Sequence, residues 1–342
     1  MEICTWLYAY LPLRSLSCTR WKRMRRAALE GFSSRAITAY HALQERHAAH
    51  FVRHMLEDPD SWDDHVRRSA ASIVLSVVYG WPPIDATADP VVEKITEIIQ
   101  RIARSILPGA HLVDLIPFMA YIPDGMAKWK REAKAHFHQD SKFFEELFND
   151  VKAKALAGTA EPCLVSTLVE GKHDLDTRSM AWLSGTLFGG GAETTAGALS
   201  VFILAMVLYP ETMRRAHAQI DAVVGRDRLP NLGDRAHLLY IEAIVKEVQR
   251  WRPGGPLSVP RQTTEDDVYN GYFIPKGTLI LLNVWAINHD PNYFPDYDEF
   301  RPERYLDERE QLIEPMPNTH AQGHMSYGTG RRYARHNNTV DD

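Results

Sequence analysis

The residues best suited to chemistry lie in one apolar stretch. Glu193, Thr194 and Thr195 follow Gly189-Gly190-Gly191-Ala192, and Glu193 is the single charged residue between Met180 and Tyr209. A carboxylate beside a hydroxyl can pass protons. Glycine inside a helix costs about 1 kcal/mol relative to alanine. Three together point to something flat approaching the backbone, although a close helix–helix contact or a helix break explains the glycines equally well. Further along, Glu247 and Arg250 stand three residues apart, which puts them on one helical face. By itself that spacing describes an ordinary surface ion pair worth a few tenths of a kcal/mol. Phe300-Arg301-Pro302-Glu303-Arg304-Tyr305 reads as a charged loop, and Trp21-Lys22-Arg23-Met24-Arg25 opens the first helical pattern.

The elements that must position these residues are mostly helical. Helical spacing runs from Trp21 to about Leu56, from His65 to Tyr79, from Val91 to Ile106 and from Met126 to Ala157. Gly80 with Pro82 and Pro83 stops the second of these. Val113 to Gly125, with two prolines, and Gly158 to Pro162 read as loops. Met180 to Tyr209 is thirty residues long and would extend about 45 Å as a helix. By hydropathy it could cross a membrane. An acid at a bilayer centre costs at least about 2.5 kcal/mol, however, so a buried central helix is expected. Glu211 to Val224 and Leu238 to Trp251 follow as amphipathic helices. After Pro253 the pattern changes. Asn270-Gly271 between Val268-Tyr269 and Tyr272-Phe273 predicts a hairpin, and Thr278 to Val284 a strand. The fold expected is mainly α with a small β region late in the chain.

Composition narrows the function. The chain has 342 residues, 45% hydrophobic and 24% charged, with a net charge of −5, as in a soluble globular protein. No long basic run suggests a nucleic-acid partner. The three cysteines, Cys4, Cys18 and Cys163, show no CxxC spacing, which argues against a disulfide framework or a structural zinc site. Met1 to Leu16 is apolar but interrupted by Glu2, Pro12 and Arg14. It is expected to be neither a spanning helix nor a signal peptide, so no convincing membrane anchor is identified.

Taken in order, four motifs resemble the cytochrome P450 family: Trp21-x-x-x-Arg25, Gly190-Gly191-Ala192-Glu193-Thr194-Thr195, Glu247-x-x-Arg250, and Pro302-Glu303-Arg304-Tyr305, where Tyr305 stands in place of the usual Phe. The late β region also falls where that family has a small sheet. The resemblance implies a haem b cofactor and a monooxygenase that inserts one oxygen atom from O₂ into a small lipophilic substrate. It further implies an NADPH-dependent flavoprotein reductase as electron donor, secondary metabolism as context, and the cytoplasmic face of the endoplasmic reticulum membrane as location, in a eukaryotic microsomal and fungal type. Residue by residue, it assigns Trp21, Arg25 and Arg261 to the haem propionates. Gly190 and Gly191 would admit the haem and bound oxygen, and Glu193 and Thr194 would deliver protons. Glu247, Arg250 and Arg304 would form a buried acid–arginine network.

The resemblance extends into Tyr327-Gly328-Thr329-Gly330-Arg331-Arg332, the start of the family's iron-binding loop, with Arg332 as a further cofactor contact. The register then places Ala334, not cysteine, at the axial ligand position, so no metal ligand is assigned. His336, two positions on, and His320 and His324 before the loop are weaker candidates. The expected organisation is a non-matching segment 1–20, a partial cytochrome P450 domain 21–332 and an aberrant tail 333–342, incomplete at both termini. A reading-frame shift near Tyr333-Ala334 would account for the change at the end. The chain itself is expected to be inactive. The alternative is a non-catalytic relic or interaction protein with a partial monooxygenase fold.

Overall fold

The computed structural model describes residues 19–85, 89–106, 110–171, 173–316, 319 and 322–328. The expected N-terminal segment up to residue 18, together with His320, Gly330, Arg332, Ala334, His336 and the tail 333–342, lies outside them. The chain divides into two compact units, Met1–Ala196 and Gly197–Asp342.

The first unit is helical. The single helical pattern expected from Trp21 to Leu56 is three helices: α1 (Thr19–Gly31), α2 (Ser34–Ala39) and α3 (His41–Glu57). The break has a local cause. Ser33 is extended, and its hydroxyl accepts from the Ala36 amide, so a new helix starts there. Next come α4 (Trp62–Tyr79), α5 (Pro90–Ile106) and a four-residue turn, α6 (Leu112–Leu115). Gly80 closes α4 in the left-handed conformation, at φ 69°, which only glycine adopts without steric cost. The long charged helix is α7 (Lys128–Leu156). The short α8 (Leu164–Glu170) was not expected; Cys163 caps it, its sulfur accepting from the Ser166 amide while the Ser166 hydroxyl receives the Cys163 amide.

The central helix is α9 (Thr177–Leu208). Its first half is core. Ala181, Trp182, Leu183 and Phe188 are each at most 1% exposed and pack with Phe144, Phe148, Ile95, Ile98, Leu75 and Leu164. Trp182 donates to the Ser141 hydroxyl at 2.9 Å and meets Phe144 edge-on, the preferred aromatic geometry. The second half corrects the expectation of a buried helix: Glu193, Thr194, Thr195, Phe202, Leu204, Val207 and Leu208 are exposed. Length and composition alone would let α9 cross a membrane, but its first half is packed as protein core.

The second unit holds α10 (Pro210–Val223), α11 (Leu239–Trp251), the short α12 (Val284–Asn288) and four brief strands. The strands are β1 (Arg261–Gln262), β2 (Asp267–Tyr269), β3 (Tyr272–Ile274) and β4 (Leu279–Ile280). β2 and β3 form the expected hairpin, with Val268 opposite Phe273 and Tyr269 opposite Tyr272. Asn270 and Gly271 both have positive φ, 49° and 83°, as a two-residue hairpin turn requires. The strand expected over Thr278–Val284 is only two residues long. It pairs with β1, Arg261 opposite Ile280, and the chain then turns into α12, whose start Asn283 caps. The apolar core here is small: Tyr240, Ile244, Val248 and Trp251 of α11 against Phe300. Beside it lies a buried charged cluster.

Candidate functional site

In the second unit, α11 places Glu247 and Arg250 one turn apart, and both are fully buried. Arg250 grips the carboxylate with two bonds, Nε to Oε2 and Nη2 to Oε1, each 2.8 Å. Arg304, in a 3-10 turn over Pro302–Tyr305, donates Nε to the same Oε1 at 3.1 Å. Charge-assisted bidentate pairing of this kind is the strong form of the hydrogen bond. The remaining guanidinium donors also find oxygens. Arg250 reaches the Asn288 and Glu299 carbonyls, and Arg304 reaches those of Pro295, Asp296 and Glu299. The surface-pair explanation therefore fails for Glu247 and Arg250. Burial still leaves a mark, lowering the pKa of Arg304 against the opposing pull of Glu247.

Several partners in this cluster carry no sequence signal. The Arg301 backbone amide donates to Glu247 Oε1 at 2.9 Å. Asn288, fully buried at the end of α12, accepts from the Met325 amide and donates to the Ser326 hydroxyl, which in turn donates to the Gln249 carbonyl at 2.6 Å. Glu303 takes the Tyr240 hydroxyl at 2.7 Å and Arg215 at 2.9 Å. Burial first, and Glu303 after it, push the Tyr240 pKa up to about 12. An amide or a serine acting through long-range contact leaves no periodic pattern. The one available hint was a lone polar Asn closing the apolar run Val284 to Ile287.

Arg261 lies on β1, exposed, and its guanidinium stands beside Gly328: a Cβ added to Gly328 would be 3.9 Å from Nη2. Arg261 thus lies next to the glycine of the Tyr327-Gly328 motif. The candidate ligand His324 is 2% exposed. Its Nδ1 accepts from the Ser326 amide, and burial, with Lys246 and Arg250 nearby, drops its pKa to about 3.

In the first unit, Trp21 and Arg25 share one side of α1, with the Arg25 guanidinium 5.7 Å from the Trp21 ring centre. Met24 and Ala27 lie on the adjoining, buried face. Arg20 anchors the helix to the start of α9 through Ser179 and Asp176. The three glycines of α9 turn out to differ. A Cβ on Gly189 would fall 2.3 Å from Ile99, and one on Gly191 3.0 Å from Val74, whereas one on Gly190 meets nothing within 4 Å. Helix packing therefore accounts for Gly189 and Gly191. Gly190 alone presents bare backbone to open space. Thr194 Oγ1 donates to the Gly190 carbonyl at 2.7 Å, and Glu193 is exposed beside it.

The cytochrome P450 family profile matches residues 13–333. The chain belongs to the cytochrome P450 family. It is 49% identical to cytochrome P450 monooxygenase 58 of Postia placenta over 91% of its own length and 60% of that protein's. A cytochrome P450 monooxygenase of Armillaria gallica is 47% identical over 91% and 60%, and cytochrome P450 monooxygenase claR of Ampulloclitocybe clavipes 38% over 92% and 58%. The chain thus spans about three fifths of the length of these curated relatives.

A P450 implies haem. Within the first unit, the bare backbone at Gly190 is of the kind a flat group can approach, and Trp21 with Arg25 of the kind that takes a carboxylate; in the second unit, Arg261 is a further cation. The iron is another matter. Cys163 is buried as the cap of α8, and among the described residues no group of three His, Cys, Asp or Glu is placed to hold a metal. The position that the resemblance gives to the axial ligand, outside the described residues, is alanine in the sequence, Ala334, which has no donor atom. Taken unit by unit, these residues are of the types that hold a haem's face and carboxylates, and the one cysteine among the described residues, Cys163, serves as a helix cap.

Proposed function

We propose that this P450 belongs to the haem-dependent monooxygenases that insert one oxygen atom from O₂ into small lipophilic substrates, and that this particular chain does not turn over. Its relatives are named as monooxygenases, which supports the first part. Electrons would come from an NADPH-dependent flavoprotein reductase, on the cytoplasmic face of the endoplasmic reticulum membrane. Bound haem b would supply the oxygen activation. The chain's own residues would orient it: Trp21, Arg25 and Arg261 at its carboxylates, Gly190 along its face, with Gly191 given instead to packing against Val74, and Arg332 from the loop. Glu193 would pass protons to the Thr194 hydroxyl, whose own proton rests on the Gly190 carbonyl.

Ala334 carries the second part. A cysteine thiolate pushes electron density onto iron and favours O–O cleavage, and alanine cannot. The test is the absorbance spectrum of the purified chain reconstituted with haem, reduced and exposed to carbon monoxide. We expect no Soret band shifted as thiolate ligation requires; such a band sinks the inactive reading. A chain that takes up no haem at all supports the relic or interaction reading instead. That reading also draws on the exposed apolar hairpin, where Val268, Tyr269, Tyr272 and Phe273 are each at least 64% exposed.

A further inference from the structure

The β2–β3 hairpin turns on the one Asn-Gly pair in the sequence, Asn270-Gly271. Both residues have positive φ and both are exposed. A Cβ placed on Gly271 would meet nothing within 4 Å, so no neighbour shields the turn. The strands on either side are no better covered: of their residues only Ile274 is half-buried.

The other described asparagines stand differently. Asn231 and Asn283 cap helices, their side-chain oxygens accepting from the Gly233 and Ala286 amides. Asn288 is fully buried, and Asn292 donates to Asp290. Asn149 lies inside α7. Each of these is followed by a residue that carries a side chain.

That difference matters for one reaction. The backbone nitrogen that follows an asparagine can attack the side-chain amide. The Gly271 nitrogen bonds to Asn270 Cγ, the Cγ–Nδ2 bond breaks, and the displaced nitrogen leaves as ammonia with the proton of the Gly271 amide. Water then opens the cyclic imide. Breaking the bond from Gly271 nitrogen to Cγ gives aspartate. Breaking its bond to the main-chain carbonyl carbon gives isoaspartate, and the chain then runs through Cγ. One water is consumed and one ammonia released, with nothing oxidised or reduced. A side chain on the attacking residue crowds this approach, and glycine has none.

We propose that Asn270 is a site of spontaneous deamidation and isomerisation to isoaspartate, and that the isomerisation dismantles the β2–β3 hairpin. The tight two-residue turn holds both φ values positive, and Asn270 must rotate out of it for the attack, so conversion follows opening of the hairpin end. The hairpin has only three residue pairs, and a short two-stranded hairpin is marginal by itself. Isoaspartate adds one carbon to the main chain at the turn. Loop length fixes hairpin register, so Val268 and Phe273, and Tyr269 and Tyr272, lose their alignment. The new carboxylate also joins Glu265, Asp266 and Asp267, with Lys276 the one cation from Gln262 to Thr278.

The test ages the full chain at mildly alkaline pH and maps it by peptide mass spectrometry with isoaspartyl methyltransferase labelling. Asn270 should convert several-fold faster than Asn149 or Asn292, with isoaspartate among the products. Hydrogen exchange across residues 267–274 should be several-fold faster in converted chains, while exchange in α11 stays unchanged. Asn270→Gly removes the amide and tolerates positive φ; aged alongside, it should keep its protection. Freshly prepared Asn270→Asp carries the charge without the added carbon, and Asp-Gly suits the same turn, so it should exchange only slightly faster than the parent. Conversion no faster at Asn270 than at the other two, or aspartate as the sole product, would overturn the proposal. So would converted chains that exchange like fresh ones, a fresh Asn270→Asp that exchanges as fast as converted chains, or an equal loss of protection in aged Asn270→Gly.

Discussion

The two units solve the burial problem in opposite ways. Around α9 in the first unit, Trp182, Phe144, Phe148, Phe188 and their neighbours form a broad apolar core with few polar atoms. Around α11 in the second, a modest apolar cluster lies beside one carboxylate shared by two arginines and a backbone amide. Apolar burial is non-directional and scales with area. A buried ion cluster is directional, and its net worth is small or even unfavourable against an apolar replacement. The first arrangement should therefore tolerate isosteric change, and the second should not tolerate losing one member.

Glu247→Gln is the largest test of that contrast. The shape is kept and the charge lost, leaving Arg250 and Arg304 buried without their anion. A cost of about 3–5 kcal/mol is expected, read by denaturant unfolding and by faster hydrogen exchange in α11. Leu168→Met, at 1% exposure in the first unit, should cost under about 1.5 kcal/mol. Equal losses from the two changes would erase the distinction.

Gly189→Ala probes how tightly the first core is filled. The new methyl would meet Ile99 at 2.3 Å. Overpacking of this kind costs about 1–3 kcal/mol, so the melting temperature should fall. An unchanged melting temperature would mean that α5 and α9 part more easily than their packing suggests.

Acid should separate the units next. Burial holds His324 near a pKa of about 3 in the second unit and His47 near about 4 in the first, both from 6.5. Below 6.5 the unfolded chain takes up protons that the folded chain refuses. Each histidine's contribution is therefore complete above about pH 6.5 and is lost as pH falls through its folded value. His324→Asn should flatten the acid limb measured by exchange in α11, and His47→Asn the one measured in α4, where His47 bonds to Ser76. An acid limb in α11 that survives His324→Asn would assign it to other groups.

Much of this contrast was legible in the sequence, for identifiable reasons. Prolines and glycines mark chain direction locally, so the end of α4 could be read at Gly80, while the periodic patterns read from Val91 and Glu211 fell one residue short of the actual starts at Pro90 and Pro210. Charged residues at helical spacing made Glu247 and Arg250 visible as a pair, and their burial with Arg304 was expected only from the resemblance to the cytochrome P450 family. Asn288 and Ser326 stayed hidden because their partners lie 37 or more residues away. The Arg301 contribution uses only a backbone amide, which every residue but proline possesses. Apolar composition misled for α9, because hydropathy does not say which half of a helix has neighbours. The strand expected after Thr278 shrank for a related reason. A β-branched, apolar run needs a partner strand to become a ladder, and only Leu279 and Ile280 have one.

The smallest effect expected is the most informative about the site. Gly190→Ala adds a methyl that meets nothing within 4 Å, and alanine is favoured over glycine in a helix by about 1 kcal/mol. The variant should therefore be slightly more stable than the parent, opposite in sign to Gly189→Ala one residue away. Packing gives no reason for glycine at this position. If a flat cofactor approaches the backbone there, the same methyl should weaken haem uptake, measured by titration of the Soret band, while the melting temperature rises. Stability gained with haem uptake unchanged would show that the bare backbone at Gly190 serves no bound group, and would leave helix packing as the account of Gly189 and Gly191 only.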